Sequence, residues 1–167
     1  MKIQDICGCK LYYNPVNKIE LQRTTSASPD FGTLIIALDA DLRTKYGELM
    51  NLYDQHNIIE QIDTVIIAFL NGQPIGCGCF KPYDPETVEV KRMYVAPQAR
   101  GKGMSKLILG GLEDWAKELN FPFIVLETGS KQIEAIGLYQ KMGYIKTPPY
   151  GPYVDLPDSV CFRKMLS

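Results

Sequence analysis

The chain of 167 residues has the length of one ordinary domain, and 46% of its residues are apolar and 22% charged. Its net charge of -1 argues against a nucleic-acid partner, because proteins that bind phosphate backbones normally carry a basic excess or stripe. No apolar run approaches the roughly 20 residues that a membrane helix needs, and no signal-peptide hydrophobic region follows the first residues. We therefore expect a single cytoplasmic domain, residues 1–167, without a membrane partner.

The cysteines predict neither a disulfide framework nor a metal site. Their number, five, is odd, and a chain of this length can fold without crosslinks. Four of them form two Cys-Gly-Cys pairs, Cys7 with Cys9 and Cys77 with Cys79, whose spacing is shorter than that of zinc-binding knuckles. Because residues two apart share one face of a strand, we expect Cys77 and Cys79 to pack side by side as small apolar groups.

The first half of the chain predicts a strand, a helix and a β hairpin. A strand is expected at 18–23, and Ser28-Pro29-Asp30 is typical of a helix start. Apolar residues then keep helical spacing until Gly47, a residue type common just after helices. The stretch 48–63 suggests only a second short helix. Asn71-Gly72 is a strong two-residue turn signal between strands expected at 64–70 and 73–80.

The second half predicts the rest of an α/β fold with a mixed sheet. A turn at 81–85 and a nine-residue strand at 87–95 complete an antiparallel meander. From Gly103 the apolar period becomes 3.6, which predicts a helix with Trp115 in its buried stripe and Glu113 on its charged face. A buried strand at 121–127, a helix at 131–142 that ends at Gly143, and a strand at 160–165 follow.

A glycine-containing loop joins the strand at 87–95 to the helix that follows it. Glycines let a backbone approach an anion closely, and the N–H groups of a helix's first turn point at that anion. Arg100 and Lys102 add positive charge to this loop, Gln98-Ala99-Arg100-Gly101-Lys102-Gly103. The spacing does not fit a P-loop, and Lys106 stands where a dinucleotide fingerprint needs its third glycine. The loop therefore predicts a phosphate-binding site of another kind.

This loop resembles the R/Q-x-x-G-x-G/A signature of the GCN5-related N-acetyltransferases (GNAT), with Gln98, Gly101 and Gly103 in the defining places. Residues 89–97 resemble that family's fourth strand, and 135–144 resemble its A-x-x-L-Y-x-x-x-G-F/Y segment. The resemblance runs from about residue 65 to residue 162 of the sequence. It implies a GNAT-type fold: a mixed, mostly antiparallel central sheet flanked by helices and splayed between the fourth and fifth strands.

The resemblance also implies a site for acetyl-coenzyme A, as co-substrate, where those two strands splay apart. The backbone of Met93, Tyr94 and Val95 would pair with the pantetheine arm as an added strand would. The pyrophosphate would lie on the N–H groups from 98 to 105. Gln132 stands where the family commonly has Asn, and its longer amide can make the same hydrogen bonds. The expected coenzyme-binding residues are Met93, Tyr94, Val95, Gln98, Arg100, Gly101, Lys102, Gly103, Met104, Ser105 and Gln132.

Two catalytic residues follow from the same resemblance. Tyr139 matches the family's tyrosine, and a phenol of pKa ~10 stays protonated at neutral pH and can donate to the coenzyme sulfur. Glu89 is the first choice for the base, directly or through water, because the family often places a glutamate on this strand. Glu127 is a rival base or a cation-binding group. Aromatic packing of Tyr139 and an ordinary salt bridge from Glu89 to Lys91 or Arg92 are the structural alternatives.

The acceptor site is expected to include Glu127, Arg92, Tyr150 and Tyr153. The last two lie in a loop at 147–159 rich in Pro, Gly and Tyr, which is either a lid over the acceptor or a rigid crossover. The resemblance implies acetyl transfer to the primary amine of a small molecule by direct attack on the thioester. Acetylation of a protein lysine or N-terminus, and a non-catalytic acyl-CoA-binding module, are the alternatives, and a homodimer is a further partner to test.

Overall fold

The computed structural model describes residues 2–6, 9–14, 17–49 and 61–166, with the side chains of 18–48 and 61–166. Cys7 and most of the stretch in which a short helix was suggested lie outside the described residues. The structure divides into two compact units, the first formed by the chain up to Cys79 with Arg92–Leu112, the second by Phe80–Lys91 and the chain from Glu113 onward. The single domain expected from the sequence stays a prediction.

The first unit contains a sheet whose strands follow one another in chain order. They are β1 (Lys2–Ile6), β2 (Cys9–Asn14), β3 (Asn17–Thr24), β4 (Val65–Leu70), β5 (Gln73–Asp84, up to Cys79) and β6 (Thr87–Val95, from Arg92). The pairs from β1 to β5 are antiparallel. The strand expected at 18–23 is confirmed as β3. Strands β1 and β2 were not predicted, because short runs such as residues 2–6 show no regular alternation of apolar residues; β1 pairs with β2, and β2 with β3.

Helix α1 (Pro29–Tyr46) confirms the helix predicted from Ser28 to Gly47. Gly47 ends it at a φ of 55°, and its N–H donates to the carbonyl of Arg43, although the Ser28 side chain makes no capping bond. The buried face of the helix belongs to one apolar core with both strand cysteines, which are 0% exposed. The packing expected for Cys77 and Cys79 is therefore confirmed.

The hairpin between β4 and β5 has the turn that the sequence predicted. Asn71 and Gly72 have φ values of 51° and 81°, as a type I′ turn requires at both central residues. The turn predicted at 81–85 is wrong, since β5 continues through Pro82 to Asp84. The chain reverses instead at residues 85 and 86, where the Asp84 carboxylate accepts the N–H of Glu86 at 2.8 Å. This side-chain bond fixes a turn that proline content alone located too early.

In the second unit the neighbouring strands are β5, β6, β7 (Phe123–Gly129), β9 (Ser159–Met165) and β8 (Ile145–Thr147), in that order. Strands β6 and β7 are parallel and in register only from Thr87↔Phe123 to Val90↔Leu126, whereas β7 with β9 and β8 with β9 are antiparallel. Both β6 and β7 continue beyond their last registered pair. The mixed, mostly antiparallel GNAT-type sheet is confirmed, with the short β8 as an unpredicted addition.

Two further helices lie at residues expected for them. Helix α2 (Met104–Glu118) runs through both units, and α3 (Ile133–Lys141) ends before Gly143. In the second unit Trp115 packs edge-on against Phe80, with ring centroids 5.8 Å apart. The exposed position predicted for Glu113 is wrong: it is buried, because its Oε2 accepts from Lys164 Nζ at 2.7 Å. Within the described ranges no helix is long and apolar enough to cross a membrane.

Candidate active site

The glycine loop opens α2 and leaves room for a ligand. Gly101 and Gly103 have φ values of 74° and 79°, the left-handed region that favours glycine, and a Cβ built on either would meet no atom within 4 Å. The N–H groups of Lys106 and Leu107 donate to the Gly103 carbonyl at 3.1 and 3.2 Å. Helical hydrogen bonding therefore starts at Gly103, and the N–H groups before Lys106 are those that no carbonyl of the helix can reach. The loop can accept an anion at the positive end of the helix.

The two cations of this loop are directed at protein groups. Lys102 Nζ donates to the Gln98 carbonyl at 3.1 Å. Arg100 Nε donates to the Val95 carbonyl at 2.8 Å, and its Nη2 lies 3.1 Å from a carboxylate oxygen of Asp41. Arg100 is therefore first of all a link between helix α1 and the end of β6, and its contribution to anion binding is a positive charge close by.

The strand that leads into the loop has an irregular residue. Arg92, in the middle of β6, has a φ of 59°, a backbone conformation that costs a residue with a side chain about 1 kcal/mol or more. Its side chain is buried, and Nη2 lies 2.8 Å from Asp39 Oδ1 and 3.0 Å from Oδ2. The sequence named Arg92 for the acceptor site but gave no sign of its backbone conformation, because a polar side chain in a strand carries no signal for a left-handed φ.

The three residues after Arg92 alternate between two sides of the strand. Tyr94 is buried in the core formed with α1, whereas Met93 and Val95 are half-buried. A Cβ on Gly76 would lie 2.7 Å from the Tyr94 carbonyl, and one on Gly78 would lie 2.5 Å from Met93 Sδ. The two glycines of Gly76-Cys77-Gly78-Cys79 thus allow β5 to approach β6 closely, which gives that cysteine-rich pattern a packing reason.

In the second unit a buried carboxylate gathers three hydrogen-bond donors. Glu89 Oε1 accepts from the hydroxyls of Tyr153 at 2.7 Å and Tyr150 at 3.2 Å. Its Oε2 lies 3.5 Å from Lys91 Nζ, which also donates to the Tyr153 oxygen at 2.8 Å. The structure thus brings Glu89 together with both loop tyrosines expected at the acceptor site. The ion pair with Lys91, one of the alternatives for Glu89, is formed.

The loop tyrosines pack on one another beside this carboxylate. The Tyr150 ring meets Tyr83 and Tyr153 edge-on, with centroids 5.2 and 5.3 Å apart. Burial, with the nearby charge of Glu89, raises the pKa of both Tyr150 and Tyr153 well above the ordinary value. Both phenols are therefore protonated donors at neutral pH, and they fasten the loop to Glu89.

Glu127, near the end of β7, has fewer hydrogen-bond partners than Glu89. Its Oε1 accepts one hydrogen bond, from Ser159 Oγ at 2.7 Å. Burial raises the pKa of Glu127 to about 7, against the lowering effects of the Ser159 hydrogen bond and the charge of Lys91, while the charge of Glu89 raises it further. A carboxylate with a pKa near neutrality can take up and release a proton at physiological pH.

Tyr139 lies in the same unit on α3. It is buried, with its ring centroid 5.9 Å from that of Tyr144 and 5.8 Å from that of Phe162. Burial and, second, the charge of Glu127 raise its pKa, so the phenol stays protonated at neutral pH. Gln132 is the residue immediately before α3. Among the described side chains no cluster of three or more metal-ligating groups is present.

Three kinds of comparison agree on one family. The acetyltransferase (GNAT) family model matches residues 33–144. An IAA acetyltransferase of Azospirillum brasilense is 35% identical over 136 residues, which cover 80% of this chain and 88% of the relative. A structure from Klebsiella pneumoniae, described as an acyl-CoA N-acyltransferase, has a TM-score of 0.70 and 31% identity, covering 92% of this chain and 100% of that one.

A GNAT acetyltransferase of Elizabethkingia anophelis, crystallised with acetyl-CoA bound, shares the fold with a TM-score of 0.63 at 23% identity, covering 89% of this chain and 98% of that one. The family match covers more than half of the chain, and the sequence signature, the strand order and the glycine loop agree with it. The chain belongs to the GNAT family of acetyltransferases.

Proposed function

We propose that this acetyltransferase moves the acetyl group of acetyl-coenzyme A to the primary amine of a small molecule by direct attack on the thioester. The observation that carries the proposal is the open backbone loop with left-handed Gly101 and Gly103 at the start of α2. Such a loop suits the pyrophosphate of a coenzyme A ester. The acetyl-CoA bound to a neighbour with the same fold supports the choice of coenzyme.

The coenzyme would be recognised mainly by backbone. N–H groups between 98 and 105 would donate to the pyrophosphate, with Lys102 and Arg100 adding positive charge nearby. Met104 is buried and would contribute only its N–H, whereas the half-buried Ser105 offers a hydroxyl as well. The pantetheine arm would pair with the backbone of 93–95.

In the proposed reaction the neutral amine attacks the thioester carbon, the carbon–sulfur bond breaks, and the amine loses a proton as the thiolate gains one. We assign the uptake of the amine proton to Glu127, directly or through water, because its pKa of about 7 suits a base at neutral pH. The sequence favoured Glu89 for this role. Three donors already occupy the Glu89 oxygens, which suits an anchor for the 150–153 loop better than a base. Tyr139 would give its proton to the coenzyme sulfur.

Tyr150 and Tyr153 would form part of the acceptor site. The loop that carries them would then contact the acceptor and not serve only as a rigid crossover. Arg92, expected at the acceptor, is directed at Asp39 and serves better as a brace within the first unit. One relative is named an IAA acetyltransferase, so IAA is the first acceptor to assay. The cytoplasmic location and a homodimer remain predictions.

The experiment measures release of the coenzyme A thiol from acetyl-CoA in the presence of amines, peptides or IAA. Calorimetric titration of acetyl-CoA measures coenzyme binding in parallel. Thiol release that requires a small amine supports the proposal. Release only with peptides would favour the protein acetyltransferase. Binding of acetyl-CoA without turnover on any acceptor would favour the non-catalytic module and overturn the proposal.

A further inference from the structure

Two aspartates of helix α1 hold both ends of residues 93–99, which form the first part of the segment that is proposed to bind the coenzyme. At its start, Arg92 Nη2 lies 2.8 and 3.0 Å from the two carboxylate oxygens of Asp39. At its end, Arg100 Nη2 lies 3.1 Å from Asp41 Oδ2. All four residues belong to the first unit. The backbone between the two arginines, residues 93–99, therefore has an ion pair to the same helix on each side.

The pair at the start is not explained by stability. Arg92 is buried with a left-handed φ of 59°, and its Nε and Nη1 are buried without hydrogen-bond partners. Buried donors without partners and a desolvated guanidinium both cost free energy, and an apolar side chain often replaces such a group without loss. What the pair does supply is a fixed direction for the Arg92 side chain. With the guanidinium held by Asp39, the left-handed residue sets the orientation of the peptide groups that follow it.

The pair at the end controls a backbone group directly. Arg100 Nε donates to the Val95 carbonyl at 2.8 Å while Nη2 contacts Asp41, so the guanidinium connects that carboxylate to the last residue of β6. The same guanidinium lies over the Tyr94 ring, 5.8 Å from its centroid. The orientation of the Val95 carbonyl therefore depends on a charge on α1.

We propose that Asp39 and Asp41 are positioning residues for coenzyme binding and transfer, acting through Arg92 and Arg100 on the backbone at 93–99. The inference rests on the proposed function, because it assumes that this backbone binds the coenzyme. Recognition by peptide groups requires fixed dihedral angles, and small misplacements of bound reactants lower rates steeply. Neither aspartate has to touch the coenzyme for this role.

The first test is Asp41→Asn, which keeps the side chain's size and removes its charge at a partly exposed pair. We expect the calorimetric Kd for acetyl-CoA to rise roughly two- to fivefold with little change in kcat, since partly exposed ion pairs contribute modestly. The matched control is Lys45→Gln, because Lys45 Nζ is a second cation near Asp41, at 3.7 Å. That control should leave the Kd unchanged.

The second test is Asp39→Asn, for which we expect kcat to fall on the order of tenfold to a hundredfold with an unchanged KM for the acceptor. Asp39→Glu should restore part of the rate. If Asp39→Asn fails to fold, Arg92→Gly replaces it, because glycine adopts a φ of 59° without strain. The positioning role predicts that Arg92→Gly folds and still loses kcat.

The results distinguish a failure of the proposed function from a failure of this inference. A wild type that does not bind acetyl-CoA overturns the proposed function and this inference together. A wild type that binds and turns over, with Asp41→Asn equal to it in Kd and Asp39→Asn or Arg92→Gly equal to it in kcat, overturns only the inference. Weaker binding by Asp41→Asn with normal binding by Lys45→Gln, and a lower kcat for the Asp39 or Arg92 variant, supports it.

Discussion

Replacing Glu127 by Gln should have opposite effects on stability and activity. The side chain is half-buried, and its partial desolvation raises its pKa from 4.5 to about 7 on folding. A raised folded-state pKa means that the neutral form is favoured by folding, so its contribution to stability is complete below pH 4.5 and is lost as the pH rises through about 7. At about 1.4 kcal/mol per pH unit, the wild type is about 3 kcal/mol less stable at pH 8 than it would be with a neutral side chain.

The glutamine variant keeps a neutral side chain at every pH, and its carbonyl can still accept the hydrogen bond from Ser159. We therefore expect Glu127→Gln to exceed the wild type by about 3 kcal/mol in free energy of unfolding at pH 8, and by close to zero at pH 4.5. For a chain of this length that corresponds to a Tm difference of about 10 °C at pH 8. Glu86→Gln, at an exposed position, is the control and should show no such pH dependence.

Urea denaturation at pH 4.5 and pH 8 measures the difference in free energy of unfolding. Steady-state kinetics measures the predicted effect on activity. The wild-type kcat/KM should rise as the pH passes through about 7, assayed with an amine whose own pKa lies outside that range. Glu127→Gln should lower the rate about 10²- to 10⁴-fold, and its kcat/KM should no longer rise as the pH passes through about 7. A stability difference that is the same at both pH values refutes the burial argument, and an unchanged pH profile refutes the base.

Three further predictions concern other groups of the site. Tyr139→Phe should lower kcat about tenfold to a hundredfold at unchanged coenzyme Kd and Tm, because the ring packing is kept; an unchanged kcat removes the tyrosine from the donor role. Gly103→Val should weaken acetyl-CoA binding in calorimetry, whereas Gly47→Val, also at a positive φ with open space around it, should cost stability only; equal affinities of the two variants contradict the cradle. Tyr153→Phe should lower the free energy of unfolding by about 1–2 kcal/mol, because Glu89 and Lys91 lose their shared partner; an unchanged urea midpoint means that this hydroxyl does not anchor the loop.

The elements that the sequence predicted well have local causes. The helix from Pro29 to Gly47 has an N-terminal proline and a glycine stop, and Asn71-Gly72 can adopt the two left-handed conformations that its turn needs. Helix α2 follows from a strict apolar period. Strands β1 and β2 were missed because short runs such as residues 2–6 show no regular alternation of apolar residues. Glu113 was placed on the wrong face because its partner, Lys164, lies far along the chain.

The features of the candidate site also divide into those with a local sequence signal and those that depend on tertiary contacts. The glycine pattern of the loop is readable because glycine alone fits its backbone at low cost. The left-handed Arg92 and its link to Asp39 depend on helix packing that no local pattern encodes. Likewise, the choice between Glu89 and Glu127 depends on burial and on partners from distant segments, including Tyr153 and Ser159. Sequence could name both carboxylates as candidates, and only the tertiary contacts show that Glu89 holds both loop tyrosines whereas Glu127 accepts a hydrogen bond from Ser159.

The central claim is that this chain transfers acetyl from acetyl-CoA to an amine, and the most direct measurement is thiol release coupled to mass detection of the acceptor. We predict that coenzyme A and acetylated amine appear in equal amounts, that no thiol appears without an amine, and that Gly103→Val requires a higher acetyl-CoA concentration for the same rate. Acetyl-CoA that binds the wild type while no amine or peptide gains an acetyl group would contradict the claim.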